Sequence, residues 1–247
     1  MTVPTDELVA ALGALAGRRP LLVASDYDGV LAPLADVPSE AVPEPGAAEA
    51  LARLSAVPGV TVALVSGRGL DDLRATSGFT GALRWIGSHG AEFDGPLTGD
   101  LAEQRDALSA RLEPLVSGTP GARLEIKPAS VAVHVRQVPD RLAAAALLED
   151  ARAAVDPSLT QKPGKDVFEV AVTDADKGSA VRRLAAEVGA RGVLYLGDDV
   201  TDEDAFRALG PDDVTVKVGA GDTVAGHRVP DPAAVRVLLE QLADLLG

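Results

Sequence analysis

The chain has 247 residues, 47% of them apolar, which suits one large or two small domains with a true core and excludes global disorder. Its 37 acidic and 23 basic residues give a net charge of −14, so neither nucleic acid nor a membrane surface is an expected partner. Cysteine is absent, which excludes disulfides, thiolate catalysis and cysteine-bound zinc, and fits a cytoplasmic location.

Leu8–Leu15 reads as a short amphipathic helix, preceded by Asp6 and Glu7, rather than as a secretory leader. Arg18-Arg19 does not read as a twin-arginine signal, because Asp26 and Asp28 interrupt the apolar run that follows. No apolar run reaches 18 residues, so no membrane span is expected. Leu21–Ser25 reads as a buried strand that ends in Asp26-Tyr27-Asp28-Gly29, and residues 32–46 as a proline-rich loop leading into a helix. Strands at Val60–Val65 and Leu83–Ile86 then alternate with a helix at Leu70–Ala75, the mark of parallel βαβ units.

The pattern changes after about residue 97. A helix at Asp100–Val116 precedes a hairpin of Ala122–Lys127 and Ser130–Arg136, a helix at Asp140–Ala154, and strands near Ser158–Gln161 and Val167–Val172. Strand parity puts Glu125 and Lys127 on one face. His134 and Arg136 share a face, as do Val131, Val133 and Val135 opposite; Glu169 lies opposite Phe168 and Val170. That polar face suits a polyhydroxylated sugar, or is simply the solvated side of an antiparallel sheet. After Asp176 the βα pattern returns: Lys177–Val188, Val193–Leu196, Glu203–Leu209, Val214–Val218 and Ala233–Leu246. The expected architecture is α/β, a parallel core from residues 1–97 and 174–247 with an α+β domain of residues 98–173 inserted.

Four strand or helix ends carry the chemistry. Asp26 and Asp28 close the first strand; two carboxylates there need a cation, or are turn formers. Ser66-Gly67-Arg68 ends the second strand, where a hydroxyl and glycine amides can bind a phosphate or serve as a helix cap. Lys177 opens a helix against its dipole, which a nearby anion explains, or else is a solvated surface lysine. The strand Val193–Leu196 runs into five acids within seven residues, Asp198, Asp199, Asp202, Glu203 and Asp204. Unit charges 4 Å apart repel by roughly 4 kcal/mol at an effective dielectric of 20, so gathering these acids beside Asp26 calls for a cation. Oxygen-only ligands suit Mg²⁺, and the spacing is not that of an EF-hand.

In this order the four pieces resemble the haloacid-dehalogenase-like phosphatases. The resemblance implies a Rossmannoid parallel-sheet core with a C2-type cap, Asp26 as the nucleophile that takes up phosphate, and Asp28 as the acid and base. It implies Ser66 and Lys177 on the phosphoryl group, with Gly67 and Arg68 beside them. Mg²⁺ would be held by Asp26, the Asp28 carbonyl and Asp198, with Asp202 close by.

The wording of Gly87–Glu92, Glu125/Lys127, Ser130–Arg136, Gly164–Val170, Asp176–Gly178 and Gly197–Phe206 resembles the trehalose-6-phosphate phosphatases. That likeness implies hydrolysis of trehalose 6-phosphate, with Glu125, Lys127 and Glu169 on the sugar and His89, His134 and Arg136 as further candidates. The charged face of the inserted domain must close over the core to exclude water and re-open to release product, so a hinge is expected near Gly95–Gly99 and Thr173–Asp176. A monomer is expected, acting alone or beside a separate synthase. Two positions depart from the pattern: Val30, where threonine is usual, and Ala171, where arginine is frequent. Another sugar phosphate, such as sucrose 6-phosphate or a mannosyl-phosphoglycerate, stays open as substrate, as does an inactive sugar-phosphate-binding module.

Overall fold

The computed structural model describes residues 5–247, of Pro163 the backbone only. In chain order the elements are α1 (Asp6–Ala16), β1 (Leu21–Ser25), α2 (Ala47–Ser55), β2 (Val60–Val65), α3 (Leu70–Ser77), β3 (Leu83–Gly87) and β4 (Glu92–Phe93). There follow α4 (Asp100–Ser117), β5 (Arg123–Lys127), β6 (Ser130–His134), α5 (Arg141–Ala154), β7 (Thr160–Gly164) and β8 (Val167–Ala171). The last stretch holds α6 (Lys177–Glu187), β9 (Gly192–Gly197), α7 (Asp202–Ala208), β10 (Val214–Val218), β11 (His227–Val229) and α8 (Pro232–Leu246). The chain divides into two compact units: the described residues up to Gly95 with Ala175–Gly247, and Pro96–Asp174.

The first unit is a seven-stranded sheet in the order β11-β10-β9-β1-β2-β3-β4, parallel except for β3 with β4. Every residue of β1 is buried. Leu21 and Val23 pack into the core formed with α1, α2 and α8, while Leu22 and Ala24 pack into the core with α6 and α7. Both faces are covered, so the strand reads as a continuous apolar run rather than an alternating one. β1 lies between β2 and β9, where the strand order reverses, and ligands bind outside the carboxyl ends of strands at such a point. Arg18 pairs with Asp212 at 2.8 Å and Arg19 donates to the Leu246 carbonyl at 2.6 Å, so the two arginines tie α1 to the far end of the chain.

The second unit is an antiparallel sheet in the order β5-β6-β8-β7 whose apolar face packs on α4 and α5. Three details depart from the sequence expectation. β7 starts later, at Thr160, because the Asp156 side chain turns the chain at Ser158 (2.9 Å to its N–H), and it runs through Pro163, tolerated on an edge strand. β6 stops at His134, and Arg136 lies exposed in the turn that follows rather than on the face of His134. The short edge strands β4 and β11 were not expected; at two and three residues they carry no periodicity to read.

Candidate active site

Asp26, the residue after β1, is 5% exposed, and its N–H donates to the Leu196 carbonyl of β9 at 2.9 Å. Its Oδ1 accepts from the Tyr27 N–H at 2.6 Å and its Oδ2 from Lys177 Nζ at 2.6 Å. The same ammonium donates to Asp202 Oδ1 at 2.8 Å. The Lys177 side chain is buried, and its place at the start of α6 is fixed by a reciprocal cap: Asp176 accepts from the Ser179 N–H at 2.7 Å while Ser179 Oγ accepts from the Asp176 N–H at 3.1 Å. The anion that a lysine in a first turn calls for is therefore a pair of the chain's own carboxylates.

Asp202 is fully buried and accepts four hydrogen bonds. Oδ1 takes Lys177 and the Tyr195 hydroxyl (2.7 Å), and Oδ2 takes the N–H groups of Asp198 and Asp199 (3.0 Å each). It braces the loop between β9 and α7, which leaves Asp198 half-buried opposite Gly29. A Cβ on Gly29 would lie 1.9 Å from Asp198 Oδ2, and the backbone there is left-handed (φ +72°), so only glycine fits. Lys217 Nζ on β10 donates to the Asp198 carbonyl.

This concentration of acids shifts their titration. Burial raises the Asp26 carboxyl above its ordinary range, the Lys177 charge opposing and the Asp202 charge adding. Burial and the Asp202 charge push Asp198 up to about 6. Burial lowers the Lys177 pKa, but the charges of Asp26 and Asp202 outweigh it and the ammonium is held protonated. Asp26, Asp198 and Asp202 can each bring one oxygen within 4.8 Å of the others. An all-oxygen donor set with surplus negative charge fits a hard divalent cation such as Mg²⁺. Asp26 and Asp198 are the fitting ligands, since Asp202 is fully buried and already accepts four hydrogen bonds, against two on Asp26.

Ser66 follows β2 and is buried; its Oγ accepts the Arg68 N–H at 3.1 Å. The Arg68 guanidinium grips Asp28 with two parallel bonds, Nε to Oδ2 at 2.6 Å and Nη2 to Oδ1 at 2.7 Å. It also reaches Asp72 (2.8 Å) and the Pro38 carbonyl (2.5 Å), and lies over the Tyr27 ring. Arg68 thus holds Asp28 and the loop before α2 together. A cavity of about 550 Å³ opens here, with Asp26, Asp28, Ser66, Arg68, His89 and Lys177 in its wall.

In the second unit, Glu125 and Glu169 both register on Ala132, so the polar face is continuous across β5, β6 and β8. Glu125 Oε2 lies 2.6 Å from His134 Nε2 and 3.7 Å from Arg123. Glu169 accepts from Lys127 Nζ at 2.7 Å and Ser130 Oγ at 2.6 Å. Burial works to raise the Glu169 pKa, and these two hydrogen bonds outweigh it and hold the carboxyl low. Val131, Val133, Phe168 and Val170 fill the opposite, apolar face.

The sequence model of the trehalose-phosphatase family matches residues 24–230, most of both units. The chain belongs to this family. A bifunctional trehalose-6-phosphate synthase/phosphatase of Thermoproteus tenax is 37% identical over 241 residues, covering 93% of this chain and 32% of that protein. A trehalose-phosphate phosphatase of Mycolicibacterium paratuberculosis is 35% identical over 263 residues, covering 97% of this chain and 66% of that one. The chain therefore spans about a third of the first relative's length and just under two-thirds of the second's. The crystal structure of Aspergillus fumigatus trehalose-6-phosphate phosphatase (crystal form 3) superposes with a TM-score of 0.75 at 27% identity, covering 98% of this chain and 99% of that one. A haloacid dehalogenase-like hydrolase from Bacteroides thetaiotaomicron shares the fold at a TM-score of 0.63. The fold is the haloacid-dehalogenase-like α/β core with an inserted α+β cap.

In this trehalose-phosphatase family member, the four strand and helix ends singled out in the sequence meet in one unit. Glu125, Lys127, His134 and Glu169 share the cap sheet face, and Arg136 does not. Tyr195 and Lys217 escape the sequence reading. Tyr195 is hidden within an apolar strand, and Lys217 carries a signal only as a charge amid the apolar run Val214–Val218. The pairing of Arg68 with Asp28 spans 40 residues and leaves no local trace.

Proposed function

We propose that the chain is a Mg²⁺-dependent phosphatase that hydrolyses trehalose 6-phosphate to trehalose and phosphate through an aspartyl-phosphate. The observation that carries this is Lys177 bridging Asp26 and Asp202 at 2.6 and 2.8 Å at the end of β1, with Asp198 opposite. Membership of the trehalose-phosphatase family supports the substrate.

In the first step the Asp26 carboxylate attacks phosphorus in line. An Asp26 O–P bond forms and the bond from phosphorus to the sugar oxygen breaks, while Asp28 gives its proton to that oxygen. In the second step a water attacks phosphorus and passes a proton to Asp28; the Asp26 O–P bond breaks and phosphate leaves. Ser66, the Gly67 amide and Lys177 neutralise and orient the phosphoryl oxygens. Asp28 leaves the Arg68 fork to act at the sugar oxygen, so Arg68 positions Asp28 rather than holding substrate. A Mg²⁺ held by Asp26, Asp198 and the Asp28 carbonyl would supply charge neutralisation at the phosphoryl oxygens and keep Asp26 ionised. Glu125, Lys127 and Glu169, with His134, supply the hydroxyl partners of the sugar. A separate synthase would provide the substrate.

The test is phosphate release from trehalose 6-phosphate, sucrose 6-phosphate and a mannosyl-phosphoglycerate, each with Mg²⁺ and with chelator. Rapid, Mg²⁺-dependent release from trehalose 6-phosphate alone is expected, and Asp26→Asn abolishes it. Equal rates on all three would defeat the substrate assignment, and normal turnover by the Asp26→Asn variant would defeat the nucleophile.

A further inference from the structure

The turn after β3 is built unusually. Ser88 (φ 49°) and His89 (φ 57°) are consecutive residues in the left-handed region, which costs a side-chain-bearing residue on the order of 1 kcal/mol or more. The turn is bound to the loop after β2 at every step: Ser66 N–H to the Ile86 carbonyl (2.9 Å), Ser88 N–H to the Arg68 carbonyl (2.7 Å) and His89 N–H to the Ser66 carbonyl (2.9 Å). Buried Glu92 locks it from below, accepting from Ser88 Oγ at 2.8 Å and from the Leu70 N–H at 3.1 Å. The strained backbone lays the imidazole against Gly67. A Cβ added to Gly67 would fall 2.5 Å from His89 Cε1 and 2.8 Å from Nε2, closer than any side chain tolerates.

We propose that His89 is a positioning residue: its ring packs on Gly67 and holds the Ser66–Arg68 backbone in the posture that receives phosphate. This rests on the reading of that loop as the phosphate site. It assigns the ring's work to packing against the loop, not to a nitrogen contact with the sugar, and it explains why residue 67 is glycine although its φ is not left-handed.

The experiment takes the full chain as wild type, Gly67→Ala, His89→Ala, the double variant and His89→Phe. Thermal melting, trehalose 6-phosphate kinetics and the inhibition constant of inorganic phosphate are measured with Mg²⁺. His89→Ala weakens phosphate inhibition roughly tenfold, and Gly67→Ala, which must expel the ring, by at least as much. The double variant is no worse than His89→Ala, because the collision is gone, and the melting temperatures show the same non-additivity. His89→Phe, which keeps a flat ring, recovers most of the phosphate affinity lost in His89→Ala.

Additive losses in the double variant would overturn the proposal, as would wild-type phosphate affinity in His89→Ala. So would a His89→Phe variant as weak as His89→Ala, which would make a ring nitrogen the working group. If Gly67→Ala does not fold, the two His89 variants decide alone. Failure of the phosphatase reading is a separate result, a wild type without turnover, and the melting cycle still reports on the packing.

Discussion

Asp26 and Asp198 hold their protons more tightly in the folded chain than an open carboxyl does, because burial and neighbouring acids penalise the charge. Between the ordinary carboxylate range and the raised values, the folded state binds more protons than the unfolded one, so stability falls as pH rises through that window. The acids held low, Asp94, Asp156, Glu169 and Asp212, lose their contribution only as pH falls below the ordinary carboxylate range toward their depressed values, so they do not mask the effect. Chelator-treated protein should therefore melt at a higher temperature at about pH 5 than at about pH 8. Added Mg²⁺ should raise the melting temperature more at the higher pH, and Asp198→Asn should flatten the slope. A flat profile for the metal-free wild type would contradict the assignment of these two carboxyls. Tyr195 acts on the same cluster through Asp202. Tyr195→Phe keeps the edge-on contact with Phe206 (5.8 Å between centroids) but removes one of the four donors to a buried carboxylate. The expected loss is about 1.5–3 kcal/mol in denaturant unfolding, and a change within error would refute it. The positions of Asp26, Ser66, Lys177 and Asp198 were legible in the sequence because each ends a strand or opens a helix. Asp202 was expected close by, but its four partners were not, because they are set by the loop's fold rather than by spacing.

The elements were legible where periodicity is strong and blurred where local hydrogen bonding sets the boundary. Both faces of β1, β2 and β9 are buried, and their apolar runs marked them correctly. The start of β7 was missed because the Asp156 turn consumes Ser158, and the end of β6 because Val135 bonds to Asp166 beyond the ladder (2.9 Å) and the chain then turns. The helix caps offer a test at this scale. Asp176 caps α6 and Asp140 caps α5, each through a carboxylate on first-turn N–H groups. Replacing either with alanine should cost about 1 kcal/mol of stability. Only Asp176→Ala should also slow turnover severalfold, because Lys177 is the next residue and its reach to Asp26 depends on how the helix begins. Equal effects of the two changes on kcat would break the link between that cap and the lysine.

The inserted segment Pro96–Asp174 owns a core of its own, in which Leu108, Leu112 and Val116 of α4 and Ala144, Leu147 and Ala151 of α5 cover Val131, Val133, Phe168 and Val170 of the sheet. Its two edge strands are protected differently: β7 carries Pro163, while β5 alternates Arg123, Glu125 and Lys127 along its polar face. The change from βα alternation to two hairpins around a helix announced this segment in the sequence, because an antiparallel sheet with one covered face needs an alternating pattern that the flanking parallel strands lack. A contiguous segment with its own core should fold when cut free, although a domain this small commands only about 3–5 kcal/mol. The isolated fragment is expected to give a cooperative thermal transition and dispersed amide resonances. Leu112→Ala, at a fully buried position, should remove about 2–5 kcal/mol and leave the fragment unfolded. In the full chain the same substitution should preserve the Mg²⁺-induced rise in melting temperature, because Asp26 and Asp198 both belong to the other unit. A fragment without a cooperative transition, or loss of the Mg²⁺ response in full-length Leu112→Ala, would mean that the two cores are not independent.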